Sequence, residues 1–269
     1  MQLISAEYPT SSLKLPVEND CQVGGYSSLA GQAQTDSTPV DLSSEELEGL
    51  CKNGITCSVV NLNTGPISVE SRTDKALAIP GLIAAAQREA QKGADAIVID
   101  CFGDPGLDTL REVVDIPVLG VAQISMNICA SLADTFGVVT ILKESIPIIK
   151  DSVKAYGHEG RFVGCNAIDM RSLEIKGEVN EMTNRLAEHA LALVREKGAH
   201  SIILGCTGFI GCAEEIKKRL ELSGLDVPVV DPMPATVFSA IPLLRLGLRQ
   251  SRESYPRSTI KETKGYIEF

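Results

Sequence analysis

The sequence predicts an α/β protein of two pseudo-twofold-related lobes. Each lobe is a four-stranded parallel sheet flanked by helices, and the cleft between the lobes holds the site. Three observations carry this prediction. "KGADAIVIDCFG" (Lys92 to Gly103) has a counterpart in "KGAHSIILGCTG" (Lys197 to Gly208), and "IPVLG" (Ile116 to Gly120) is matched by "VPVVD" (Val227 to Asp231). The offset is roughly a hundred residues in both cases, the mark of a unit present twice. Short β-branched runs alternate with helical periodicities, as in parallel sheets covered on both faces. Finally, 269 residues with 44% hydrophobic and 22% charged content can bury a substantial core.

Taken in order, strands are expected near Gln2–Ser5, Ile55–Val60, Ala96–Asp100 and Pro117–Leu119 in the first half. The second half offers Val138–Ile141, Arg161–Gly164, Ser201–Leu204 and Pro228–Val230. Leu82, Ala86 and Ala90 recur at helical spacing, as do Leu186, Ala190, Leu193 and Val194. These readings divide the chain into lobe one (1–121), lobe two (122–234) and a C-terminal helix and tail (235–269). The link between lobes falls near Ala122–Asp134, and Ala235–Leu248 is the helix packing back on the body.

The totals exclude several classes. A net charge of −10 argues against a phosphate-backbone partner, and 4% aromatics with no Trp offer little for base stacking. No apolar run reaches the length of a membrane span and no basic-then-apolar leader is present, so a soluble, cytoplasmic protein is expected. Eight cysteines spread over a long chain do not resemble a disulfide framework. No Cys-x-x-Cys pair occurs, and none of the three His neighbours a Cys, so no metal site is expected. The expected partners are a small-molecule substrate and further copies of the chain, with no nucleic acid and no membrane.

Cys51, Cys57, Cys129, Cys165 and Cys212 read as small core residues. Cys101 and Cys206 do not, because each stands at the carboxyl end of a strand, at matched points of the repeat, before a Cys-x-Gly turn. Ligands of open parallel sheets bind at those strand ends. Two thiols facing one cleft from opposite sides suit inversion of a carbon stereocentre, which needs a base on one face and an acid on the other. Thiols serve both roles, with a reference pKa of about 8.5. Each cysteine is also expected to precede a helix start that would stabilise a thiolate. Asp104-Pro105 reads as an N-cap with Pro at the first helical position, and Thr207 opens "TGFIGCAEEIKKRL". Gly103 and Gly208 would let backbone approach a ligand and hold an enolate oxygen. His158, His189 and His200 are expected in a turn, inside a helix and at a strand entry, away from this chemistry.

At these residues the chain resembles the cofactor-independent racemases of the aspartate/glutamate/hydantoin racemase superfamily, in particular the hydantoin and allantoin racemase branch. The matching stretches are "GPISVES" (Gly65 to Ser71), "AIPGL" (Ala78 to Leu82), "GADAIVIDCFGDPGLDTLRE" (Gly93 to Glu112) and "PVLGVAQIS" (Pro117 to Ser125). "FGVVT" (Phe136 to Thr140), "SIPIIKDSVKAYG" (Ser145 to Gly157), "LGCTG" (Leu204 to Gly208) and "VPVVD" extend the match, which covers about residues 55 to 248. The resemblance implies the two-lobed fold, no cofactor, and Cys101 and Cys206 as the base and acid. It also implies substrate contacts from Thr10, Ser11, Phe102, Gly103, Thr140, Gly205, Thr207 and Gly208.

The chain departs from the branch in three places. "AEYPTSS" (Ala6 to Ser12) stands where the branch has Asn-Pro-Asn-Thr-Ser, residues 13 to 42 form a long polar segment, and Gln123 replaces a common Glu. Neither cysteine is flanked by Arg or Lys, which suits a neutral cyclic ureide better than a carboxylate. Other readings are an aspartate/glutamate racemase, whose branch has Asn-Thr after the first cysteine, and an arylmalonate-type decarboxylase, which keeps only the second. A non-catalytic binder on the same fold and a thiol redox protein complete the alternatives.

Overall fold

The computed structural model describes residues 1–7, 56–170 and 179–258. Among these residues, eight strands form two four-stranded sheets: β1 (Gln2–Glu7), β2 (Thr56–Asn61), β3 (Ala96–Asp100) and β4 (Val118–Gly120) in the first. The second holds β5 (Phe136–Thr140), β6 (Phe162–Ala167), β7 (Ile202–Leu204) and β8 (Val229–Val230). The strand orders are β2-β1-β3-β4 and β6-β5-β7-β8, the same permutation, so the sequence repeat is also a repeat of architecture. The helices are α1 (Arg72–Lys92), α2 (Leu107–Val113), α3 (Val121–Leu132), α4 (Ile146–Ala155), α5 (Val179–Lys197), α6 (Cys212–Leu222) and α7 (Pro232–Arg245).

Strand burial explains the layering. Ala96 and Val98 face a cluster shared with Val138, Ile203, Met126 of α3 and Val237 of α7. Ile97 and Ile99, one residue out of phase, face Leu82 and Ala86 of α1 and Leu110 of α2. In the second sheet Val139, Ile202 and Leu204 likewise turn to Leu186 and Leu193 of α5 and Ile216 of α6. Period-two alternation on strands buried on both faces produces this three-layer division. The shared cluster between the sheets contains α3 and α7, so α3 both connects the lobes and forms their common core.

The second sheet is parallel throughout. The first departs from the expected all-parallel sheet, because β1 runs antiparallel to both β2 and β3 while β3 and β4 are parallel. The reason is that alternation of apolar residues reads the same in either direction along a strand. The pattern marks where β1 lies, and only its partners decide its sense. The final helix begins at Pro232, earlier than expected, because Asp231 is the N-cap and accepts from the Met233 N–H at 3.3 Å. It ends at Arg245, and the tail beyond it folds onto lobe one.

Candidate active site

Cys101 follows the last residue of β3, and Cys206 follows Gly205 at the end of β7; both side chains are half-buried. Each thiol receives a hydrogen bond from a backbone N–H two residues on, Gly103 for Cys101 and Gly208 for Cys206. The Cys-x-Gly element of the repeat therefore builds the same local cradle twice. Protein atoms crowd both sulfurs, and burial pushes both thiols up to about 12 against the pull of those N–H groups. Nearby negative charge adds to this. Asp104, Asp100 and Cys206 raise Cys101, and Asp100 and Glu70 raise Cys206. Cys101 and Asp100 of lobe one thus lie within electrostatic reach of Cys206 in lobe two.

The two cradles differ from the helix N-termini expected after each cysteine. Helix α2 starts at Leu107 with Gly106 as N-cap, φ 67°, and no side-chain cap. After Cys206 a 3₁₀ turn, Thr207–Phe209, intervenes before α6 opens at Cys212. The Asp104 side chain does not cap α2. Its carboxylate reaches α3, accepting from the N–H groups of Ala122 at 3.0 Å and Gln123 at 2.9 Å. A backbone φ of 44° turns it there.

The remaining expected residues separate into two groups. Gly103 and Gly205 are buried and Thr207 and Gly208 half-buried, all next to the thiols. Phe102, by contrast, is only 6% exposed and packs into the inter-sheet cluster. Thr140 has no exposed surface, and its hydroxyl donates to the Gly205 carbonyl at 3.2 Å. Both side chains are thus held by the body of the protein next to the thiol loops and support them from there. Thr10, Ser11 and the 13–42 segment lie outside the described residues. The antiparallel sense of β1 sets Gln2 opposite Asp100, at the Cys101 end of the sheet.

Of the three imidazoles, His158 is buried against Phe136 and bonded to Asn127 at 3.0 Å. His189 is half-buried within α5, and His200 is exposed at the entry to β7. Of the other cysteines, Cys57, Cys129 and Cys212 are buried and Cys165 is half-buried; Cys21 and Cys51 lie outside the described residues.

Four participants were not legible as such. Glu70 is brought toward Cys206 by the "GPISVES" segment, where Ser71 and Asp74 form a capping box at the start of α1 and Ser68 bonds the Glu70 carboxylate at 3.2 Å. Tyr156 ends α4 and donates to Asp104 at 2.8 Å. Arg111 bonds Gln123 at 2.6 Å, so the Gln that replaces a common Glu is engaged with α2. Gly120 leaves room for Asp104. A Ser/Asp-x-x-Asp pattern could have flagged the capping box, but the other contacts join distant stretches of chain.

Two repeated α/β lobes with one cradled thiol each define a protein of the racemase class. The chain belongs to the Asp/Glu/hydantoin racemase family, whose model matches residues 43–240. It is 35% identical over 210 residues to a hydantoin racemase of Pseudomonas sp. (strain NS671), covering 78% of this chain and 82% of that one. Among solved structures it is similar to allantoin racemase from Pseudomonas fluorescens, with TM-score 0.72 and 27% identity over 84% of this chain and 97% of that one. Allantoin racemase from Klebsiella pneumoniae gives TM-score 0.71 and 29% identity, covering 76% and 82%. These relatives place the chain in the hydantoin/allantoin racemase branch. Among the described residues no helix is long and apolar enough to cross a membrane.

Proposed function

We propose that this chain is a cofactor-independent racemase that inverts the stereocentre of a hydantoin-like cyclic ureide, a 5-substituted hydantoin or allantoin, with Cys101 and Cys206 as the two bases. The observation that carries the reading is the pair of equivalent strand-end thiols, each under a glycine N–H and each within the field of the same Asp100. One cysteine, as thiolate, takes the proton from the ring carbon, and the electron pair delocalises onto the adjacent carbonyl oxygen. The opposite thiol then delivers its proton to the other face, leaving the protonation states of the two sulfurs exchanged. Exchange of the thiol proton with water resets them.

Backbone N–H groups around Gly103 and Gly208 and the Thr207 hydroxyl are the candidates to hold the substrate oxygens, with Thr10 and Ser11 proposed to join them, whereas the Gly205 N–H is spent on the Val139 carbonyl at 2.7 Å. Asp100 and Glu70 bear on the substrate class. Both add negative charge at the thiols and neither cysteine is flanked by Arg or Lys, which supports a neutral ring whose N–H groups donate over an amino-acid carboxylate. The hydantoin racemase and allantoin racemase relatives support the same class.

The test is polarimetry in heavy water with enantiopure 5-substituted hydantoins, allantoin, aspartate and glutamate. A ureide should lose rotation while gaining deuterium at its stereocentre, and Cys101→Ala or Cys206→Ala should lower inversion by at least about a thousandfold. Inversion of aspartate or glutamate alone, or parent-like rates in both cysteine variants, would overturn the proposal.

A further inference from the structure

The carboxylate of Asp104 is 3% exposed and accepts three hydrogen bonds from two directions. Two come from N–H groups in the first turn of α3, the helix that joins the lobes, and the third from the hydroxyl of Tyr156 at the end of α4 in lobe two. The Asp104 N–H in turn donates to the Cys101 carbonyl at 3.0 Å, closing the turn that carries the thiol. This is an uncommon way to cap a helix. The N-cap position of α3 is Gly120, which has no side chain to offer, where a local Ser or Asp would serve. The cap is instead imported from the thiol loop by a non-glycine residue in the left-handed region, φ 44°. A backbone held in that region by surrounding contacts is a feature of functional loops. Helix α4 also packs directly on the loop, with Ile148 Cγ2 3.4 Å from where a Cβ at Gly103 would stand.

Cys101 belongs to lobe one and Cys206 to lobe two, so the gap between their sulfurs depends on how the Cys101 loop is tied across the lobe boundary. We propose that Asp104 is the positioning residue for the thiol pair, with Tyr156 as its lobe-two anchor: together they set the distance of Cys101 from Cys206. The inference rests on the two-thiol reading above. It adds a residue that touches neither substrate nor the reacting atoms and acts through the loop that bears Cys101.

Two near-isosteric variants test it. Asp104→Asn removes one acceptor from the cap, and Tyr156→Phe removes only the hydroxyl. The first readout is the ratio of inversion to single-face deuterium exchange, because exchange needs one thiol and inversion needs both in register. Inversion should fall about a hundredfold in Asp104→Asn and about tenfold in Tyr156→Phe, with exchange falling much less. The second readout needs no turnover. A bifunctional thiol reagent should bridge Cys101 to Cys206 in the parent, detected as a linked peptide by mass spectrometry. Bridging should slow about tenfold in the variants, while a monofunctional reagent modifies each thiol at the parent rate. A parent that bridges but inverts none of the four substrate classes refutes the proposed function, and the bridging comparison still judges Asp104. If Asp104→Asn does not fold, Tyr156→Phe decides alone. Parent-like bridging together with a parent-like ratio of inversion to exchange, in the folded variants, would overturn the assignment whatever their stability.

Discussion

A Cβ atom placed on Gly120 would lie 2.4 Å from Oδ2 of Asp104. The last residue of β4 is therefore small because a carboxylate from the loop after the neighbouring strand β3 occupies the space beside it. Gly120→Ala must push Asp104 off the α3 N–H groups, and the neighbour that yields is a fully bonded group with nowhere to go. Destabilisation of about 2 kcal/mol is expected from overpacking, read as a lower urea midpoint with racemase activity reduced alongside it. Gly160→Ala is the control. A Cβ there meets nothing within 4 Å, and a change within about 0.5 kcal/mol is expected.

The pH dependence of turnover follows from the thiols. Burial and neighbouring carboxylates push both cysteines up to about 12, so little thiolate exists at neutral pH. One sulfur must be a thiolate and the other a thiol, so the active form has lost one proton. Accordingly kcat/KM should rise about tenfold per pH unit between about pH 7 and 9 without levelling. A plateau already below about pH 8 would show that one thiolate is stabilised in the cleft.

Asp104 makes a prediction of opposite sense for stability. Burial lifts its carboxyl to about 6, outweighing the N–H groups of Gln123 and Ala122, the Tyr156 hydroxyl and the more distant charge of Lys75. A folded-state pKa above the unfolded value means that the native protein binds the proton more tightly. The resulting stabilisation is complete below about pH 4 and is lost as pH rises through about 6. Relative to Asp104→Asn, the parent should gain up to about 2 kcal/mol on moving from about pH 7 to 4. Urea melts of both proteins at the two pH values measure the difference. A parent that loses ground on acidification would show that the three hydrogen bonds outweigh burial.

The tail after α7 supplies a further test. Arg252 donates to the carbonyls of Arg111 at 2.8 Å and Tyr255 at 3.0 Å, to the Val114 carbonyl, and to the Asp115 carboxylate at 2.6 Å. It thereby satisfies carbonyls at the C-terminus of α2, which an isolated helix leaves open. Arg252→Ala should cost about 2 kcal/mol in a denaturant melt, because those acceptors lose a charged donor. Arg252→Lys should recover only part of it, since one ammonium cannot reproduce the guanidinium fork.

All eight strands among the described residues were legible in the chain, seven to within two residues and β6 ending three residues later than read; runs such as Ala96–Asp100 and Phe136–Thr140 are largely buried on both faces and need no distant information to be recognised. The equivalence of Cys101 and Cys206 was legible too, since duplication leaves Lys-Gly-Ala, an apolar run and Cys-x-Gly in both halves. Other features were closed to sequence reading. The direction of β1 was one, because alternation has no arrow. The allegiance of Asp104 was another. Its local signal, Asp before Pro, reads as an N-cap for the helix that follows, yet its acceptors are spent on residues 18, 19 and 52 positions away.

The α/β class, the twofold repeat and the two candidate thiols could be read from the chain alone, because all are properties of short stretches whose periodicity and composition act locally. It took the folded chain to show that Phe102 packs into the inter-sheet core, that Thr140 bonds the Gly205 carbonyl, that Glu70 and Asp100 act on the thiols, and that Asp104 accepts from both α3 and Tyr156. Those are matters of burial and of hydrogen bonds between distant segments. Packing chooses among the many partners that local chemistry would allow.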